Sequence, residues 1–284
     1  MVNKLAFAKR FLLPVTPLVA GSILAQLAVG IAASPSLATT LAFSEARFEI
    51  DNFSHNPLDV LTFTDTDTVT IATSGQVTAD ANAFATFINN PFESPFANNS
   101  SFSTTNGEGS NYSGLARSFA AVIGYNFFVE EGETFSFDFN SSLDLEASID
   151  NPEIESAIAN GTLSFNLYNS NDSNNMMLLD SFTISSNLNS VNGYSQDSQA
   201  STNITLNSDL ELTSAGDTPQ SASNLIDGQF SRYFDSSTDL TLIETKENEA
   251  SVFAVPEPRN ALGFILFGLI SVGYKVRKKC LQRR

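Results

Sequence analysis

Between its two ends the chain is nearly without cations, without cysteine and without tryptophan, and each lack removes a class of function. Arg47, Arg117, Arg232 and Lys246 are the only basic residues between Leu41 and Pro258, whereas all 31 acidic residues lie in that stretch. A domain this acidic repels phosphate backbones and anionic lipid, so nucleic acid is not expected as a direct partner. Divalent cations, basic proteins and uncharged glycans are the classes it could meet. The single cysteine, Cys280, lies in the basic tail. No disulfide can therefore staple the middle, and neither a thiol nucleophile nor a cysteine-based zinc site is available there.

Histidine is almost as scarce. His55 is the only one, set in the loop-like run Asn52-Phe53-Ser54-His55-Asn56-Pro57. A Ser-His-Asp triad would have to pass through it, and no Gly-x-Ser-x-Gly turn occurs. Paired carboxylates such as Asp144 with Glu146, or Asp65 with Asp67, could serve glycoside hydrolysis. They lie at alternate positions on the wet face of expected strands, and the cleft aromatic that sugar hydrolases favour, tryptophan, is missing. Oxygen donors for calcium are plentiful, but no Asp-x-Asp-x-Asp-Gly loop with a closing Glu is present. The expectation is no catalytic residue, no metal ligand and no cofactor, with calcium as the one ion whose chemistry the composition would suit.

What the middle has in abundance is phenylalanine and alternation; the chain holds 24 Phe. Phe135, Phe137, Phe139, Leu143, Leu145, Ala147 and Ile149 are apolar, and every even position from Ser136 to Asp150 is polar or charged. A helix cannot place alternate residues on one face, whereas a strand must. Phe119, Ala121, Ile123, Tyr125, Phe127 and Val129 read as the same inward face one turn earlier, across Glu131-Gly132-Glu133. Similar runs occur at Leu61–Ile71, Leu163–Leu167, Phe182–Ile184, Ile204–Leu212 and Leu240–Leu242, with Gly, Asn, Asp, Ser and Pro between them. The fold class expected is all-β: an antiparallel β-sandwich or jelly-roll-like ectodomain of roughly seven to ten short strands, over residues 43–245. Ala83–Ile88 fits strand or helix equally. Ser186–Gln199 reads as a long polar loop, and residues 246–254 as a linker.

The ends carry the addresses. Residues 1–42 have the form of a secretory signal peptide: Lys4, Lys9 and Arg10, an uncharged apolar run from Phe11 to Ala33, then small-residue cleavage patterns ending at Ala38 and Ala42. At the other end, Val255-Pro256-Glu257-Pro258 precedes Arg259 and an uncharged run over residues 260–274. Lys275, Arg277, Lys278, Lys279, Arg283 and Arg284 follow. As a helix that run is about 22 Å long at ~1.5 Å per residue, against a hydrocarbon core of about 30 Å. It would span as a single short transmembrane helix with Arg259 and Lys275 snorkelling outward. The cations at both ends place them in the cytoplasm and the acidic middle outside the inner membrane.

The order Pro256-Glu257-Pro258, short apolar helix, basic cluster over residues 255–284 resembles the PEP-CTERM sorting signal. The resemblance implies that Pro256, Glu257 and Pro258 are a recognition motif read by exosortase, a membrane-embedded transpeptidase-like enzyme, after export through the secretion translocon. It implies that the helix and the basic tail are then removed. It also implies a setting at the cell surface or in the extracellular matrix, among exopolysaccharide and biofilm. Arg259 departs from the small polar residue commoner after the motif. Gly132–Phe139 and Phe230–Asp235 are likewise similar to a recurrent domain of such proteins. Three functions remain open on this reading. They are a structural or adhesive surface protein, a carbohydrate- or protein-binding module, and a hydrolase built on a carboxylate pair.

Overall fold

A computed structural model describes residues 39–90, 94–215 and 218–255. The chain there is all-β and antiparallel, 81% strand with no helix, and its sheet is nearly closed. The strands are β1 (Thr39–Asp51), β2 (Asp59–Ile88), β3 (Phe96–Val129), β4 (Thr134–Ser148), β5 (Glu155–Asn169), β6 (Met177–Asn189), β7 (Gly193–Ala200), β8 (Ile204–Ala215), β9 (Thr218–Tyr233) and β10 (Thr238–Ala254). Their order across the sheet is β7-β6-β5-β10-β3-β1-β4-β9-β8, with β2 paired to β3.

β2 and β3 form one long ribbon that doubles back. The first part of β3 pairs with β1, from Ala97 opposite Ile50 to Glu108 opposite Thr39. Its second part pairs with β10, from Tyr112 opposite Ala254 to Val129 opposite Thr238. The corner lies between these parts, where the β2–β3 register slips at Ser74 and Gly75. Gly109 takes φ +104° there, a conformation that L side chains rarely adopt. A Cβ at Gly107 would lie 2.0 Å from the ring of Tyr112. That ring closes the corner, and its hydroxyl donates to Thr40 Oγ1 at 2.6 Å. The doubled ribbon brings the two halves of the sheet face to face. Ser44 of β1 donates to the Asn160 carbonyl of β5 at 2.6 Å. Phe139 of β4 meets Phe165 of β5 and Phe182 of β6 at ring separations of 5.3 and 5.4 Å. On the far side Asn224 of β9 donates to Tyr194 Oη of β7 at 2.8 Å, and this nearly closes the sheet.

The core is aromatic. Phe127, Phe135, Phe137, Phe165, Phe182 and Phe230 are completely buried, with Leu143, Leu145, Leu163 and Leu167. Each buried aromatic contributes on the order of 2–3 kcal/mol by area, and the edge-to-face and offset pairs add to that. The alternation of β4, β5 and β6 is the one the sequence shows.

Other expectations are corrected. In β3 the even residues Gly114, Ala116, Ser118, Ala120, Val122 and Gly124 face inward, while Phe119, Ile123 and Tyr125 are half-exposed on the outer face. Asn126, with φ +54°, reverses the phase, and only then do Phe127 and Val129 enter the core. A bulge in the β3–β10 pairing opposite Leu240 and Thr241 absorbs the extra residue. Residues 246–254 are no linker: they are the second half of β10, with Lys246, Asn248, Ala250, Val252 and Ala254 buried. The first described strand also begins at Thr39, ahead of residue 43. Ser186–Gln199 is a hairpin of β6 and β7, and Ala83–Ile88 is strand. Nor are the strands uniformly short, since β2 and β3 span 30 and 34 residues.

Phe137→Ala is expected to cost about 3–5 kcal/mol, the range for removing a buried aromatic, whereas Phe119→Ala should cost under about 1 kcal/mol. Denaturant unfolding of the two variants checks the inward phase: equal losses would contradict it.

Candidate functional site

The residues singled out in the sequence fall in three places. Pro256, Glu257, Pro258, Arg259, Lys275, Arg277, Lys278 and Lys279 lie outside the described residues, as does the cleavage candidate Ala38. Ala42, the second candidate, is fully buried inside β1, where it is paired with both β3 and β4. Cleavage there would remove the strand's first four residues, including Thr40, which anchors Tyr112. Cleavage after Ala38 would leave β1 whole.

The structure does bring a serine, the histidine and a carboxylate together. Ser54 Oγ lies 2.8 Å from His55 Nδ1, and His55 Nε2 lies 3.0 Å from Glu133 Oε2. The hydrogen bond from His55 leads the influences that hold the Glu133 carboxyl below its usual range. The serine is already committed, however. Its Oγ accepts from the Ser136 amide at 2.9 Å, and its own amide donates to the Ser136 carbonyl at 2.9 Å. This trio clasps the β1–β2 loop to the start of β4. Asp144 is held by Ser223, and Glu146 is half-buried with its carboxyl pushed up by burial. Asp65 and Asp67 stand exposed on β2.

A shallow cleft of about 470 Å³ lies on the outer face of β1, β4, β8 and β9. Three acidic residues reach it because the register places them side by side. Asp51 is opposite Asp138, Asp138 is opposite Gln229, and Asn140 is opposite Asp227. Amides occupy two of these carboxylates. Asp138 accepts from Asn52 and Gln229, both at 2.9 Å, and Asp227 accepts from Asn140. Burial, and secondarily the Asp138 charge, push the Asp51 carboxyl up. The cleft can thus offer hydrogen bonds to an uncharged polar ligand. Among the described residues no three His, Cys, Asp or Glu side chains converge to hold a metal ion.

The most unusual chemistry is inside. Successive inward positions of β10 are Glu244, Lys246 and Asn248, all with 0% exposure. Lys246 Nζ donates to Glu244 Oε1 at 2.7 Å and lies 5.3 Å from the centre of the Phe48 ring. Glu244 Oε2 accepts from Asn99 Nδ2 of β3. Asn248 accepts from Ser101 and donates to Ser44 Oγ at 2.6 Å. Burial pushes the Lys246 ammonium down to about 8 and the Glu244 carboxyl up. Composition hid this row, because its charged letters interrupt an alternation that runs through Leu240, Leu242, Ala250, Val252 and Ala254. Continuing the period across the interruption would have found it.

No family model, no curated protein and no solved structure in the comparisons matches the chain.

Asp51 binds its proton more tightly in the folded state than in the unfolded one, so its charge opposes folding above the carboxylate range. Asp51→Asn is expected to raise stability at pH 7 by no more than about 0.5 kcal/mol, after allowing for solvent screening. The gain should vanish near pH 3, where both states are protonated. Thermal melts at the two pH values check the sign.

Proposed function

We propose that the chain is an exported envelope protein whose acidic β-domain is structural or adhesive at the cell surface or in an exopolysaccharide matrix. It is delivered there by a detachable C-terminal sorting tail. The observation that carries this reading is the order within residues 255–284: Pro256-Glu257-Pro258, the apolar run 260–274, then the basic cluster from Lys275. The secretion translocon moves the chain, the inner membrane holds it as an intermediate, and exosortase recognises the motif. The finer architecture is a β-sandwich or jelly-roll-like ectodomain followed by a single short transmembrane helix.

Several features of the described domain support the reading. Its two ends lie together: Thr39 pairs with Glu108 and Ala254 pairs with Tyr112, on either side of one corner. A domain tethered at both termini before processing needs that proximity. The last described contact, the Val255 amide donating to the Ile154 carbonyl at 2.9 Å, directly precedes Pro256. The motif therefore follows directly on the last described residue of the domain. Among the described residues β2 pairs only with β3, which leaves one side of a 30-residue strand open to another chain.

A second reading, a carbohydrate- or protein-binding module, is favoured by the cleft lined by Asp51, Asn140, Thr205, Asn207 and Gln229. Glycan-array binding separates the two, since silence across neutral and acidic glycans favours the structural role.

Intact mass of the secreted protein tests the address. The mature form is expected to begin at Thr39 and to end between Pro256 and Pro258. A secreted form that retains Arg284 would refute processing of the tail.

A further inference from the structure

A lysine with no exposed surface is costly to keep as a charge, and a lone carboxylate partner seldom offsets that cost. The surroundings of Lys246 suit a different use. Glu244 bridges two groups with its two oxygens: Oε1 holds the Lys246 amine at 2.7 Å and Oε2 holds the Asn99 carboxamide. The amine and the amide are thus presented to each other across one carboxyl group, on β10 and on the β1-paired part of β3. All three residues are at most 1% exposed, so water is kept out. The Asn99 Oδ1 has no hydrogen-bond partner, although its atom is buried. Its amide nitrogen and oxygen exchange places by a turn about the last side-chain bond. That turn would bring Oδ1 onto Glu244, where a protonated carboxyl could donate to it and polarise the carbonyl.

We propose that Lys246 and Asn99 are joined by an intramolecular amide bond that the folded domain forms by itself, with Glu244 as the proton carrier. The neutral Lys246 Nζ attacks Asn99 Cγ. The Nζ–Cγ bond forms and the Cγ–Nδ2 bond breaks. One proton from Nζ passes through the Glu244 carboxyl to Nδ2, which leaves as ammonia. Amine plus primary amide gives secondary amide plus ammonia, so no oxidant, reductant or added cofactor is needed.

The protonation states fit the step. Burial lowers the lysine to about 8, which puts a fraction of neutral amine within reach near neutral pH, and it shifts the Glu244 carboxyl up, towards its protonated form. The neighbouring asparagine is a poorer acceptor, because the Asn248 side chain is already tied through both its oxygen and its nitrogen to Ser101 and Ser44. The bond would link strands in the two facing halves of the sheet. A domain without cysteine has no disulfide route to that end.

Peptide mapping of the full-length chain, folded as judged by circular dichroism, tests the proposal. Trypsin should fail to cut after Lys246, and the peptide Phe48–Arg117 should appear only as a branched species joined to it, lighter by one ammonia. The branch is the decisive reading, because succinimide at Asn106-Gly107, Asn160-Gly161 or Asn192-Gly193 also loses ammonia. Glu244→Gln should fold and remain unlinked. Asn99→Asp should still link, with loss of water in place of ammonia, and Lys246→Arg should never link. Ordinary cleavage after Lys246 and a free Phe48–Arg117 peptide from the folded wild-type chain would overturn the proposal, whatever the variants do.

Discussion

A single sheet can bury one of its faces only by folding over on itself, and here that depends on the corner in the β2–β3 ribbon. Gly109 supplies the backbone conformation, Gly107 the space, and Tyr112 the ring that fills it. The Tyr112 hydroxyl, fastened to Thr40, ties the corner to the first strand of the opposite half. With the corner straightened, β1 and β10 would no longer face each other, and the phenylalanines of β4 and β5 would lie on an open surface. The two longest strands of the molecule thus act as its frame, although they carry few of its largest core residues.

The interior is divided accordingly. Away from the corner it is a stack of aromatic rings around Phe137 and Phe165. Towards the corner it narrows to Gly, Ala and Ser from β3, and the remaining volume is filled by polar side chains that bond one another except at Asn99 Oδ1 and Thr105 Oγ1, which have no partner. Ser103 bonds Ser118 at 3.0 Å and the Asn248 carbonyl at 3.1 Å. A buried polar network of this kind has a directional preference that an apolar filling lacks, and it disfavours slipped registers of β3 and β10. The apolar end supplies most of the stabilisation, and the polar end selects one pairing among many similar ones.

Fold class was legible in the sequence because a strand with one wet face must alternate. Where both neighbours and both faces were ordinary, as in Phe135–Ala147 and Leu163–Leu167, the assignment of inside and outside was right residue by residue. It failed where a local irregularity shifts the phase. The left-handed Asn126 carries no signature separable from any other asparagine, so Phe119 and Ile123 were placed on the wrong face. It failed again where burial is polar. Lys246 and Asn248 fall in the stretch that composition reads as a linker, and only tertiary packing makes them, with Glu244, core. The clasp of Ser54, His55 and Glu133 joins residues far apart in the chain, a proximity that no local pattern encodes. The proposed address segments were read from charge, apolar length, small-residue cleavage patterns and the Pro256-Glu257-Pro258 motif, and they lie outside the described residues apart from Thr39–Ala42 and Val255.

Both ends of the sheet emerge beside Tyr112, and this gives the molecule a foot and a head. From Tyr112 to Val129 the second part of β3 rises at most about 56 Å at ~3.3 Å per residue. At the top sit the turn Glu130–Glu133, the His55 loop and the loop from Ser170 to Asn175. Under the proposed tethering through the chain that follows Val255, the foot would face the membrane and the head would point away from it. A ligand arriving from outside would then meet those turns first, and an enzyme that severs the proposed tether would work on the side of the foot.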